Sequence, residues 1–375
     1  MTTGPGNRSG AGPVGVAVVG CGTISTQYLD NLTAFGDVRV VACADLDTAR
    51  ARETAQRYGI PVVGDTAEVV AHPDVEIVVN LTVPAIHTEV AHAAIAAGRH
   101  VYSEKPLALA REDGAALLAA ADAAGVRVAN APDTFLGAGL QTAYRMIAEG
   151  AIGTPLTALT LMQSPGPESW HPNPAFLFQR GAGPLFDIGP YYLTTLVGAF
   201  GPARSVAAVG RRARDSRTVG SGPLAGTAFD VEVPTHVATL LDFAGGQAAT
   251  SVLSFDSPLS RAGFVELTGT EATMALPDPN TFTGTIRLRR AGEDEWTSVP
   301  AKGPDTGRGL GVLDLARSLR AGTPHRASGE LALHVLDLMV AIAESAETSA
   351  FVPVRTGCAA PALLPTDFDP YAATL

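Results

Sequence analysis

The chain has 375 residues, a formal net charge of −11, 46% apolar residues and 17% charged residues. That length allows two domains with separate cores, and the apolar fraction excludes a disordered chain. The acidic balance argues against nucleic acid or an anionic membrane as partner, because both need a basic face. No apolar run approaches the roughly 18 residues of a membrane span. Cys21, Cys43 and Cys358 show neither metal-ligand spacing nor a disulfide framework, and no His/Cys/Asp/Glu cluster suggests a metal. Residues 1–13 are rich in Gly, Ser and Thr and read as a disordered tail. The apolar run Val14–Val19 is too short for a signal-peptide core, so a cytoplasmic location is expected.

In chain order, strands are predicted at Val14–Val19, Val38–Ala44, Val75–Leu81, His100–Tyr102 and Val126–Asn130. Helices are predicted around Ile24–Leu32, Thr48–Tyr58, His87–Ala97 and Arg111–Ala124, several closing on glycine (Gly59, Gly98, Gly125). This alternation predicts a Rossmann-type, doubly wound parallel sheet over 14–131. After Pro132 the pattern changes. Helices at Ala138–Glu149 and Pro184–Val197 flank a Pro- and aromatic-rich segment, Gln163–Phe178. Alternating runs follow at Ser205–Arg211, Pro234–Phe243, Ala248–Phe255, Gly263–Thr268, Ala272–Leu276 and Thr285–Arg290, with Gly245-Gly246 as a hairpin turn. Helices at Gly311–Leu319 and Gly329–Glu347 close the body. These runs predict an α/β domain over 132–355 with a large open, mainly antiparallel sheet, then a tail over 356–375. Arg211–Gly226, rich in Gly, Arg and Ser, reads as a mobile loop.

Gly20-Cys21-Gly22-Thr23-Ile24-Ser25 follows the first strand and opens a helix. It is a dinucleotide fingerprint with serine at the third glycine position. Gly20 permits the tight turn, Gly22 lets backbone amides reach a pyrophosphate, and Thr23 and Ile24 start the helix whose N-terminus holds it. Asp45 ends the second strand, 23 residues after Gly22, where an acid would hold a ribose 2′-hydroxyl. A carboxylate there repels a 2′-phosphate, so NAD is favoured and NADP remains possible. Asp47 reads as a helix N-cap.

Leu81, Thr82 and Pro84 follow the strand ending at Asn80, at the carboxyl edge where such sheets bind ligands. His87 stands just beyond and reads more readily as a residue packing its helix than as a chemical group. Glu104-Lys105-Pro106 leaves the same edge. Of the 26 lysines and arginines, only Lys105 and Lys302 are lysine. A chain that otherwise uses arginine keeps lysine where a proton must be tuned, since arginine stays charged at any working pH.

Together with Gly181-Ala182-Gly183-Pro184-Leu185-Phe186-Asp187-Ile188-Gly189, these motifs make the chain resemble the Gfo/Idh/MocA family. The resemblance runs from Val14 to about Val354. It implies a Rossmann domain followed by an α/β domain whose sheet builds dimers or tetramers, here a homodimer or homotetramer. It also implies an NAD(P)-dependent oxidoreductase acting on a secondary alcohol or ketone of a sugar-like, cyclitol or diol substrate. On it, the cofactor contacts are Gly20, Gly22, Thr23, Ile24, Asp45, Leu81, Thr82, Pro84, His87, Glu104 and Lys105.

Many relatives carry a catalytic histidine four residues after the aspartate matching Asp187, whereas this chain has Tyr191. Asp187 and Tyr191 at i, i+4 would share one helix face, and a phenol beside an ammonium such as Lys105 can exchange a proton. Lys105, Asp187 and Tyr191 are therefore the expected catalytic group. Trp170 and His171 are candidate substrate contacts from the aromatic segment. Two other readings exist within the family: a glycosidase that uses bound NAD for transient redox, and a non-catalytic, nucleotide-sensing regulator.

Overall fold

The computed structural model describes residues 11–375, and the chain divides into two compact units. The first holds the chain up to Gly137 with Gly303–Leu336 and Leu364–Leu375; the second holds Ala138–Lys302 and Asp337–Leu363. Of the tail expected over 1–13, all but the last three residues lie outside the described part.

The first unit is built from β1 (Val14–Val19), α1 (Thr23–Leu32), β2 (Val38–Ala44), α2 (Thr48–Tyr58), β3 (Val62–Gly64), α3 (Thr66–Ala71), β4 (Ile77–Asn80), α4 (His87–Ala96), β5 (His100–Ser103), α5 (Arg111–Ala124) and β6 (Val128–Asn130). The strands form one parallel sheet in the order β3-β2-β1-β4-β5-β6, the doubly wound order whose reversal lies beside β1. Every residue of β1 is buried, as expected of a parallel strand covered on both faces. Local chemistry sets the helix ends. Asp47 caps α2 by accepting from the amides of Ala49 and Arg50, Asp65 and Glu68 form a reciprocal capping box on α3, and Gly59 and Gly125 close α2 and α5 in the left-handed region. The edge strand β3 and helix α3 are too short to show in the sequence pattern.

The second unit contains α6 (Ala138–Ala148), β7 (Pro155–Gln163), α7 (Gly183–Asp187), α8 (Gly189–Phe200), β8 (Ala203–Arg211), β9 (Ser216–Thr218), β10 (Ala228–Asp230), β11 (His236–Phe243), β12 (Ala248–Ser254), β13 (Arg261–Gly269), β14 (Ala272–Leu276), β15 (Thr285–Arg290) and β16 (Thr297–Pro300). With β17 (Val352–Pro353), eight of these build a nine-stranded sheet, β16-β15-β14-β13-β7-β12-β11-β8-β17, antiparallel except where β7 meets β12. Gly246, at φ +91°, turns β11 into β12 as the Gly-Gly pair predicts. One sheet face is buried through Val237, Leu241, Phe243, Leu253 and Leu267. The opposite face leaves an apolar row, Val209–Ala238–Val252–Leu161–Phe264, in cross-strand register, with Leu159 and Leu240 beside it.

Three expectations are corrected. The helix expected over 184–197 is two helices, because Pro190 lacks the amide that would continue the ladder and Tyr191 N–H reaches back only to Ile188 O. Arg211–Gly226 is not a free loop: β9 enters it and pairs with β10 as a two-stranded ribbon. The segment 303–336, expected in the second domain, packs with the first unit through α9 (Leu310–Ala321) and the start of α10 (Gly329–Thr348). Arg320 there makes a bidentate pair with Glu76 at 2.7 Å, and Asp133 accepts from the amides of Gly309 and Gly311. The chain end is held likewise. Buried Asp37 accepts from Arg317, from the Thr374 amide and hydroxyl, and from the Leu375 amide.

Candidate active site

Gly20 turns the chain out of β1 at φ +96°, and a Cβ there would lie 2.7 Å from the carbonyl carbon and oxygen of Leu81. The loop can therefore lie against the end of β4 only with glycine at this position. Gly22, the N-cap of α1, differs: its backbone is extended, no side chain caps the helix, and a Cβ would meet nothing within 4 Å. The amides of Thr23 and Ile24 thus open the helix beside free space at its positive end, which suits a pyrophosphate. Ser25 is buried in the third-glycine position, and its hydroxyl donates to Gly22 O at 2.7 Å. That bond is how a serine replaces glycine without an unsatisfied polar atom.

Asp45 closes the same edge. Its carboxylate accepts from the Cys21 amide at 2.7 Å and the Asp47 amide at 2.8 Å, with the Arg50 guanidinium 3.5 Å away. The loop and the end of β2 are thereby one hydrogen-bonded unit, and the carboxylate oxygen that accepts from Cys21 keeps a lone pair for a ribose hydroxyl.

After β4, buried Asn80 shapes the turn. Its amide donates to His87 O at 3.0 Å, and its carbonyl accepts from the Thr82 hydroxyl at 2.6 Å. His87 is 1% exposed, with Nδ1 2.9 Å from Pro106 O and Nε2 3.0 Å from Thr82 O. Burial lowers its pKa, although both carbonyls favour the charged ring. It ties the Thr82 turn to the Lys105-Pro106 segment, and both ring nitrogens are occupied by protein.

Glu104 is likewise turned inward. One carboxylate oxygen accepts from the Tyr28 hydroxyl at 2.6 Å and the other from the Lys105 amide at 2.9 Å. Burial, and then the Glu104 charge, push the Tyr28 phenol well above its ordinary pKa, so it remains a donor. Asn130 holds the carbonyls of Ser103 and Glu104 at 2.7 and 3.0 Å. Lys105 thus leaves a backbone fixed by Glu104, Asn130 and His87. Of these braces, Tyr28, Asn80 and Asn130 belong to no sequence motif; Asn80 and Asn130 are signalled only as polar residues ending buried strands, and Tyr28, inside α1, carries no signal.

The second unit carries the other candidates. Asp187 ends α7 and is half-buried, while Tyr191, in the first turn of α8, is 4% exposed. The break at Ile188 puts them on two helices rather than one face. Trp170 is 67% exposed and begins an aromatic row in which Trp170–His171 and His171–Phe176 ring centroids are each 5.5 Å apart.

Comparison with known proteins places this geometry. The GFO_IDH_MocA model, an oxidoreductase family with an NAD-binding Rossmann fold, matches residues 14–131, and the GFO/IDH/MocA C-terminal domain matches residues 140–275. An inositol 2-dehydrogenase of Burkholderia cenocepacia is 35% identical over 147 residues, 38% of this chain; the match spans 43% of that relative's length. A 1,5-anhydro-D-fructose reductase of Ensifer adhaerens is 27% identical over 351 residues, covering 91% of this chain and 98% of its own. Among solved structures, an NAD binding oxidoreductase from Klebsiella pneumoniae matches with TM-score 0.79 at 25% identity, over 91% of this chain and 99% of that one. Levoglucosan dehydrogenase in complex with NADH and levoglucosan shares the fold at TM-score 0.79 and 21% identity, over 91% and 99% of the two chains. The chain belongs to the Gfo/Idh/MocA family of oxidoreductases, with an NAD-binding Rossmann domain.

Proposed function

We propose that the protein interconverts a secondary alcohol and a ketone on a sugar-like, cyclitol or diol substrate. The observation that carries this reading is Lys105 itself, held at the carboxyl edge of the parallel sheet by Glu104, Asn130 and His87, on the edge that also carries the Gly20–Ser25 loop. The residues present fit a dinucleotide: an uncapped helix start beside free space at Gly22, and a carboxylate at Asp45. Thr23, Ile24, Leu81, Thr82 and Pro84 line the same edge and would hold it. When bound, the nicotinamide supplies the hydride acceptor or donor.

Lys105 Nζ donates to the reacting oxygen and stabilises the charge that develops there. Tyr191 Oη takes or returns the hydroxyl proton, and Asp187 orients the substrate or the tyrosine. Trp170 offers an indole face to a ring, and His171 donates to a ring hydroxyl. Asp45 supports NAD over NADP, since its charge opposes a 2′-phosphate. The apolar outer row of the large sheet supports a homodimer or homotetramer formed through that face.

The test is an absorbance assay of NADH formation or consumption on a panel containing myo-inositol, levoglucosan, 1,5-anhydro-D-fructose and vicinal diols, each with NAD and NADP. Lys105→Met should lower kcat by about a thousandfold while NADH still binds, as expected when a donor to the developing charge is lost. Tyr191→Phe should lower kcat by about a hundredfold or more, the size expected when a general acid–base is removed. Normal turnover in Lys105→Met sinks the proposal.

A further inference from the structure

The loop that carries Trp170 and His171 is held from below by a buried guanidinium that no motif marks. The Arg217 side chain is 2% exposed and forms ion pairs with Glu168 and Asp256, whose side chains are 13% and 15% exposed. It also donates to the carbonyls of Pro165 and Phe255 at 3.0 Å each. Its guanidinium carbon lies 5.0 Å from the centre of the Phe178 ring, which packs on Phe229 and Phe255. One planar fork therefore joins both ends of the aromatic loop, Pro165–Glu168 and Phe178, to the end of β12. Asp256 is fixed in turn by the Thr235 hydroxyl at 2.6 Å. The ribbon adds a backbone bond from Gly220 N–H to Glu168 O at 2.8 Å. Gly166, at φ +111°, completes the fit: a Cβ there would lie 2.2 Å from a Glu168 carboxylate oxygen.

We propose that Arg217 is a positioning residue for substrate: through Glu168 and Phe178 it fixes the loop that presents Trp170 and His171, and so sets substrate affinity without touching the substrate. This rests on the reading of Trp170 and His171 as substrate contacts. The chemistry favours arginine specifically. A planar fork can serve two carboxylates and two carbonyls at once, whereas an ammonium is a point donor with three hydrogens. Removing the cation leaves two carboxylates facing each other in a largely dry site.

The chain has two tryptophans, so a Trp296→Phe background leaves Trp170 as the sole reporter of loop motion. In that background Arg217→Lys, Arg217→Met and Glu168→Gln are compared by time-resolved Trp170 anisotropy, by KM and kcat for the best-turned-over compound of the panel above, and by NADH affinity. Arg217→Lys should lower the residual anisotropy and raise KM about tenfold, with kcat and NADH affinity within about twofold, because the fork is lost and the charge kept. Glu168→Gln, which keeps the accepting oxygen, should show the same pattern more weakly and covers the case in which Arg217→Met does not fold. Unchanged anisotropy in Arg217→Lys overturns the clamp itself. Lowered anisotropy with unchanged KM leaves the clamp standing, refutes Trp170 and His171 as substrate contacts, and so overturns the positioning role. A fall in kcat alone overturns the positioning role as well.

Discussion

The two glycines of the nucleotide loop should respond to alanine in opposite ways. At Gly20 an alanine must adopt φ +96°, which costs an L-residue about 1–2 kcal/mol. Its Cβ would also lie 2.7 Å from the Leu81 main chain, well inside the roughly 3.5–4 Å of ordinary contact. Relieving that overlap means parting the loop from β4, a further ~1–3 kcal/mol by analogy with overpacked cores. The total, roughly 2–5 kcal/mol, should lower the melting temperature of the first unit by about 5–15 °C. At Gly22 the backbone is already regular and nothing lies within 4 Å of a new Cβ. The loss of a good N-cap residue destabilises and the reduced entropy of the unfolded chain stabilises, each by about 1 kcal/mol or less, so the two oppose each other. Gly22→Ala should therefore melt within about 3 °C of the parent yet bind NADH at least about tenfold more weakly, a loss of roughly 1.4 kcal/mol. Scanning fluorimetry and NADH titration on both variants separate the two effects. A Gly22→Ala protein that binds NADH normally refutes the placement of the pyrophosphate, and a Gly20→Ala protein with an unchanged melting temperature refutes the close approach.

Asp45→Ser should shift cofactor preference toward NADP by about tenfold in kcat/KM, since the repelling charge goes and Arg50, 3.5 Å away, is released; an unchanged NAD/NADP ratio counts against Asp45 as the discriminator. The first unit should also lose stability in mild acid. Burial pushes His100 down to about 4 and lowers His87 and His325, and His100 Nδ1 accepts the Arg127 amide at 2.9 Å, which requires the neutral ring. A folded-state pKa below the unfolded value of about 6.5 means that the unfolded chain binds more protons, so stability is full above pH ~6.5 and falls as pH drops toward ~4, by about 3 kcal/mol from His100. Melting temperatures should decline across that window, less steeply in His100→Asn; a flat profile contradicts the reasoning. On the outer sheet face, Leu240→Glu should lower the oligomeric mass seen by light scattering without changing the far-UV spectrum, and an unchanged mass excludes that face as the interface.

Much of the first unit was legible because its central strands, β1 and β4 above all, are unbroken buried runs and α2 and α5 end on left-handed glycines. The second unit was less so, and β7 shows why. It is central to the large sheet, yet no strand is predicted over Pro155–Gln163. Its buried side holds Ala158, Thr160 and Met162, whereas its outer side holds Leu159 and Leu161. Both sides mix apolar and polar residues, so the usual alternation is blurred, and Thr160 is tolerated inside because its hydroxyl bonds Ser251 on β12 at 2.8 Å. No local window contains that partner. The break between α7 and α8 was readable from Pro190, but the Asp187–Tyr191 spacing suggested one continuous face.

The candidate site divides along the same physical line. Gly20, Gly22, Asp45 and Lys105 are readable because their constraints are local: a turn, a helix start, a strand end, a cation kept as lysine. The residues that hold them are not, since each acts through a partner set by topology. Arg217 is the sharpest case. Composition groups it with Arg211, Arg212 and Arg214 as a solvated, flexible run. What distinguishes it is the pairing of β9 with β10, in which Arg217 opposes Phe229. Neighbouring residues of a strand face opposite ways, so Ser216 and Thr218 turn to solvent while Arg217 turns inward. A shift of one residue in that register would expose the guanidinium and bury a serine or threonine in its place. Glu168 and Asp256 would then face each other unneutralised, so the ion pairs themselves select the register that the local sequence leaves open.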